Sequence, residues 1–282
     1  MSFTQHHPRR FGMLRYVYPV VSRRSGGLSL GINLSPSGLC NFVCVYCQIL
    51  AKGVESKSNE LFVPMEELES ELRQLIGSVN DGTLFEQPIF TQVPMEKRVL
   101  KDIAFSGDGE PTLSPQFAEA VRLVADIRSE LCAESVKIVL ITNASTLHLT
   151  PVRSALDFMV QHNGEIWAKL DAGTPGFYQT VARSTLPFQS ICTNLIKFTQ
   201  DLPVVIQTCF LALHGEGPSA EEVRQYAERL KDLSKVLYVQ IYTVARLTPE
   251  DWAMPLNNQQ LDEIAETVRQ RTGLVVRTFY SR

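Results

Sequence analysis

Leu34-Ser-Pro-Ser-Gly-Leu-Cys40-Asn-Phe-Val-Cys44-Val-Tyr46-Cys47 carries half of the six cysteines in this 282-residue chain. Three thiols within eight consecutive residues cannot all share one helix face, so they line a loop wrapped around something. Pro36 and Gly38 supply its bends. A structural zinc site takes four tetrahedral ligands, yet no fourth cysteine is near, and the next histidine along the chain is His148. Three thiolates alone fit an iron–sulfur cubane whose fourth iron is left for an exogenous ligand. Zinc is the alternative reading. Cys132, Cys192 and Cys209 stand apart and read as small buried hydrophobes.

Working outward, the loop follows a strand-like run at Leu28–Leu34. Further runs lie at Val99–Phe105, Val136–Thr142, Glu165–Asp171, Val204–Leu211 and Val236–Val244, each short, β-branched and bounded by turn formers. Helical patterns alternate with them at Met65–Val79, Pro115–Cys132, Pro151–Gln161, Phe188–Gln200, Ala220–Leu233 and Asn258–Thr272. Ser114 before Pro115, Ser219 with Glu222 and Asn257 with Gln260 have helix-cap spacing. Such alternation implies right-handed βαβ units and a parallel sheet, either doubly wound or a full or partial barrel. In each case catalytic residues belong at the C-terminal strand ends. Residues 80–98, with Pro88 and Pro94, read as a long excursion.

The composition is 44% hydrophobic and 20% charged, with a net charge of −3. This suits a globular chain and gives no support to a generally basic, nucleic-acid-coating surface. Arg9-Arg10 is followed by Phe-Gly-Met-Leu-Arg, so a charge interrupts before an export signal's apolar core can form. No stretch approaches the roughly 20 apolar residues of a membrane span. The expected location is cytoplasmic, with no membrane partner. The expected organisation is an N-terminal extension over residues 1–27 and a core domain over 28–282.

Cys40-Asn-Phe-Val-Cys44-Val-Tyr46-Cys47 is a CxxxCxxC spacing with an aromatic residue before the last cysteine. It resembles the signature of the radical S-adenosylmethionine (SAM) superfamily. After the second strand, Ser106-Gly107-Asp108-Gly109-Glu110-Pro-Thr-Leu resembles that family's GGE element, with Asp108 where its first glycine stands. Read alone, this is a strand-exit turn. With Ser22-Arg23-Arg24, Leu28-Ser-Leu-Gly-Ile, Ala168-Lys-Leu-Asp-Ala-Gly and Val239-Gln-Ile-Tyr-Thr-Val, these segments resemble bacterial proteins related to the wyosine-tRNA synthetases. The resemblance covers nearly the whole chain. It implies an α/β fold, a partial (β/α)6 barrel of the radical SAM type. It also implies a 4Fe–4S cluster on Cys40, Cys44 and Cys47, with SAM held by Tyr46, Gly107, Asp108, Gly109, Glu110 and Asn143. Reductive SAM cleavage would then start radical chemistry on an unidentified substrate, fed by a low-potential donor such as flavodoxin or ferredoxin. The archaeal tRNA-modifying relatives carry a second cluster on an added N-terminal cysteine set, and this chain has no cysteine before Cys40.

Strand-end polar residues complete the reading. Asn143 can donate and accept together, which suits a ribose hydroxyl or the SAM carboxylate, or simply a turn. Side-chain alternation puts Lys169 and Asp171 on one face, away from the helices. They are the candidate catalytic, substrate-side pair, and Lys169 could anchor a carboxylate or form a Schiff base with a keto substrate. A structural Lys–Asp pair is the alternative. Gln207, Gln240 and Tyr242 are candidate contacts on the same side, and His214 is a candidate proton donor or an idle loop histidine. Ser22-Arg23-Arg24 suits a phosphate or a solvated charge pair. Two other functions stand beside the enzyme reading: a wyosine-synthetase-like tRNA modifier, and a non-catalytic metal- or cluster-binding module.

Overall fold

A computed structural model describes residues 11–48 and 62–281, so Arg9-Arg10 lie outside the described residues. The chain divides into two compact units. The first comprises residues 11–40, 62–141 and 150–165 of the described chain, and the second residues 41–48, 142–149 and 166–281.

In the first unit, β1 (Val17–Ser22) pairs antiparallel with β2 (Gly27–Ile32), which runs parallel to β3 (Leu100–Phe105), and β3 parallel to β4 (Lys137–Thr142). Val17–Ser22 falls in the stretch read as an extension. Its Pro19 is tolerated because β1 has a neighbour on one side only. Glu71 of α1 (Met65–Asn80) accepts from the backbone amides of Arg15, Tyr16 and Val17, fixing where β1 begins. α2 (Phe117–Leu131) starts two residues later than the Ser114-Pro115 pair suggests. Ser114 instead closes a 3₁₀ turn over Pro111–Leu113, and Gln116 stands at the cap. The Gln116 amide is spent on the Val63 backbone. α3 (Thr150–Gln161) completes this unit. Residues 80–98 form two short 3₁₀ turns, Thr83–Glu86 and Met95–Lys97.

The second unit holds most of β5 (Gly164–Lys169), then α4 (Pro175–Ala182), α5 (Phe188–Asp201), β6 (Val204–Cys209), β7 (Leu211–Leu213) and α6 (Ala220–Lys231). After these come β8 (Val236–Tyr242), β9 (Ala253–Pro255), α7 (Asn258–Thr272) and β10 (Val276–Phe279). β5, β6, β8 and β10 lie side by side in parallel, while β7 and β9 form a separate antiparallel pair. Ser219 caps α6, and Asn257 with Gln260 forms a full capping box on α7. Glu222 does not reach back to Ser219. It accepts from Gly173 N and Thr174 Oγ1, tying the loop after β5 to α6.

Thr208 bonds the Tyr226 hydroxyl of α6, so Ile206 and Thr208 face the helices. By alternation Lys169, Gln207, Cys209, Gln240 and Tyr242 share the opposite face. In the first unit Phe105 packs edge-on against Phe117 of α2, which leaves Asp102 and Ala104 on the face away from it.

Candidate functional site

The Gly107–Glu110 turn leaves β3 and packs on the chain leaving β2. Glu110 N donates to Leu39 O at 2.9 Å, one residue before Cys40. Asn33 donates to Asp108 Oδ2 (2.7 Å) and accepts from the amides of Ser35 and Asp108 (3.1 and 3.2 Å). A Cβ on Gly109 would lie 1.9 Å from Leu39 O, and one on Gly107 2.4 Å from Asn33 Oδ1. Both glycines are therefore required by the approach of two strand-end loops. Glu110 is buried and accepts from Thr112 N (3.2 Å) and Thr112 Oγ1 (2.5 Å), capping the 3₁₀ turn that follows.

The second half of the cysteine loop is fastened within the second unit. Val43 N and Val45 N donate to Ala182 O and Val181 O, and Cys47 N closes a turn on Cys44 O, each at 2.9 Å. Asn41 donates to Ser145 Oγ (2.9 Å) and accepts from Asn143 Nδ2 (2.7 Å). Asn143 Oδ1 in turn accepts from Ser145 N (3.0 Å). Asn143 thus orients the residue that follows Cys40, a role its strand-end position does not announce. Gln48, just past Cys47, donates to Leu247 O and accepts from Arg246.

Cys40, Cys44 and Cys47 are all half-buried, and so is Cys132, against the expectation that it is buried, whereas Cys192 and Cys209 are buried. Burial pushes the Cys192 thiol up to about 11 and raises that of Cys132, so both stay protonated at neutral pH. Three neighbouring thiols match an iron–sulfur cluster in number and softness. Among the described residues, no three His, Cys, Asp or Glu side chains are gathered as a metal site.

Lys169 and Asp171 meet at 3.0 Å, with side chains only 14% and 10% exposed. Lys169 Nζ donates to the Tyr242 hydroxyl (2.7 Å) and lies 5.1 and 4.9 Å from the Tyr46 and Tyr242 ring centres. Asp171 accepts from the Tyr46 hydroxyl (2.5 Å) and Cys209 N (2.7 Å). Burial disfavours the Lys169 charge, but Asp171, Tyr242 and Cys209 outweigh it and hold the ammonium pKa above its usual range. Burial and the Asp171 charge raise Tyr46 well above the ordinary phenol, so its hydroxyl stays a donor. The aromatic residue of the cysteine motif and the strand-end Lys–Asp pair, 125 residues apart, are one network.

The remaining candidates fall elsewhere. Ser22-Arg23-Arg24 runs from the end of β1 into the β1–β2 hairpin turn, with the Arg24 charge acting on Asp102 near the start of β3. His214, in a left-handed conformation (φ 53°), stacks on Trp252 at 4.6 Å. No helix among the described residues is long and apolar enough to cross a membrane.

No protein-family model matches the chain. It is 24% identical over 250 residues to a protein named GTPase Obg from Brachyspira hyodysenteriae, covering 87% of this chain and 32% of that one. It is 28% identical over 222 residues to a UPF0026 protein of Methanocaldococcus jannaschii, covering 77% and 59%. The chain thus spans about a third and three-fifths of these relatives, and it contains no GxxxxGK[ST] phosphate loop. Among solved structures it resembles a radical SAM methyltransferase from Sphaerobacter thermophilus. The TM-score is 0.60 at 14% identity, over 94% of this chain and 69% of that one. It also resembles TYW1 with a lysine-pyruvate adduct bound, with TM-score 0.53 at 15% identity over 87% and 74%. The fold that sets the cysteine loop after β2 and the Gly-Asp-Gly-Glu turn after β3 is the radical SAM fold, an α/β partial (β/α)6 barrel.

Proposed function

We infer that this chain is a radical SAM enzyme acting on a substrate still to be identified. The observation that carries this reading is the CxxxCxxC loop with Tyr46, set at the exit of β2 in a radical SAM fold. Cys40, Cys44 and Cys47 would hold a 4Fe–4S cluster, which with SAM supplies one-electron reductive cleavage as a source of radical chemistry. The chain's own part is to place groups. Gly107 and Gly109 let the β3-exit turn lie against the backbone leading to Cys40, and Asp108 and Glu110 bring carboxylates to that turn for the SAM ammonium. Asn41 and Asn143 orient the cysteine loop. Lys169, kept charged, offers an ammonium to a substrate carboxylate or phosphate, and Asp171 fixes both Lys169 and Tyr46. A flavodoxin or ferredoxin is the proposed electron source.

The TYW1 structure bears a lysine–pyruvate adduct, and Lys169 is the residue here that could carry one. Adduct formation requires a neutral amine, and Asp171 and Tyr242 oppose that. The electrostatic role is therefore the better supported, and tRNA the less supported substrate.

Anaerobic reconstitution with iron and sulfide, followed by a SAM-cleavage assay, tests the reading. Close to one 4Fe–4S cluster should bind, and Ser at Cys40, Cys44 or Cys47 should abolish it. Replacing Cys132, Cys192 and Cys209 with Ala should leave the iron content intact. Iron retained without any one of the loop thiols, or no SAM cleavage by the loaded protein, would remove the proposal.

A further inference from the structure

Gln207 and Gln240 stand side by side in the cross-strand row Lys169–Gln207–Gln240–Arg277, and both are fully buried (0% exposed). Gln207 Nε2 donates to Gln240 Oε1 at 2.9 Å, which leaves Gln207 Oε1 and Gln240 Nε2 without a partner among the described residues. Turning both amides over only exchanges which glutamine keeps the spare acceptor and which the spare donor. The cations at the ends of the row do not serve them. Lys169 turns to Asp171 and Tyr242, and Arg277 lies over the Tyr238 ring at 3.9 Å. An unpaired buried amide atom carries its full desolvation cost, and folded proteins pair nearly all such groups. Two Met or Leu side chains would avoid that cost, so the pair is retained at the expense of stability.

We propose that this amide pair is the floor of a substrate subsite and takes a planar cis-amide edge, as in a lactam or cyclic ureide. Such an edge carries one N–H and one C=O side by side, the complement of one spare acceptor and one spare donor. The floor lies on the sheet face that carries Lys169, Cys209 and Tyr242. The Lys169–Tyr242 hydrogen bond joins β5 to β8 across β6 on that face. A ligand that reaches the amides parts this bond, and an acceptor on the ligand then takes the ammonium. The inference deepens the enzyme reading and rests on it only in calling the ligand a substrate.

The test uses the full-length ¹⁵N-labelled chain and 2-pyrrolidone as the probe, with the iron and SAM assays run separately so that either reading can fail alone. The side-chain amide signals of Gln207 and Gln240, assigned with Gln207→Met and Gln240→Met, should shift saturably. N-methyl-2-pyrrolidone, which lacks the N–H, should bind at least about tenfold more weakly. The double variant should melt higher than the natural chain and lose the probe. If it does not fold, each single variant should still weaken the probe. Unshifted amide signals, equal binding of the N-methyl probe, or a crystal structure with an ordered water bridging the two spare atoms in the presence of 2-pyrrolidone would overturn the proposal.

Discussion

Asp102 is a buried carboxylate and Asp171 a nearly buried one, both on sheet faces turned away from the helices, and they are held in opposite ways. Asp102, near the start of β3, accepts from Ser29 Oγ at 2.5 Å, and burial pushes its pKa up despite Ser25, Ser29 and the Arg24 charge. Asp171, just past the end of β5, accepts from an ammonium, a phenol and a backbone amide. The first carboxylate is tolerated, whereas the second organises its surroundings. Parallel α/β folds build their chemistry at strand ends and their stability at strand starts, and these two acids divide along that line.

The strongest way to break the comparison is to delete each acid. Asp171→Ala leaves a buried ammonium unpaired and strands the Tyr46 hydroxyl and Cys209 N, which should cost about 3–5 kcal/mol in urea unfolding. Equal losses for Asp171→Ala and Asp102→Ala would erase the distinction. Next in size is the strand-end turn of the first unit. Glu110→Ala should weaken SAM binding about 10- to 150-fold if the carboxylate grips the SAM ammonium. Glu110→Gln, which can still cap Thr112, separates that loss from the loss of the turn. Unchanged SAM affinity in both variants would leave Glu110 as a cap alone. Gly109→Ala sharpens the same point through shape, because its Cβ would enter the space of Leu39 O. A cost of about 1–3 kcal/mol, together with lower iron uptake, is the expected result.

The smallest effect concerns pH. Because the folded pKa of Asp102 lies above its unfolded value of about 3.9, the folded state binds the proton more tightly. Its stabilising contribution is complete below the unfolded pKa and fades as pH rises through the folded one. Asp102→Asn should therefore lie within about 1 kcal/mol of the natural chain at neutral pH. It should lack the relative gain that the natural chain shows in thermal melts as pH falls toward 4. Lys169, with its pKa raised, contributes no slope in that window. A natural chain that loses stability relative to the variant on acidification would reverse the assignment of Asp102.

The sequence determined whatever depends on neighbours along the chain. Three thiols in eight residues specify a loop, because no single helix face can carry them all. Alternating strand and helix patterns specify parallel βαβ units, and a period of two puts Lys169 and Asp171 on one face. Local chemistry also hid features. β1 lies in the stretch read as an extension, and its Pro19 is harmless only because the strand has one neighbour. A Ser-Pro pair suggested a helix start where a 3₁₀ turn ends. Tertiary structure alone decided that Tyr46 meets Asp171, that Asn143 grips Asn41, and that Gln207 and Gln240 share one hydrogen bond and keep two atoms spare. These pairs lie 125, 102 and 33 residues apart. Hydrogen bonds act over about 3 Å, so which distant residues come within that reach depends on strand register and loop closure, which no local pattern encodes.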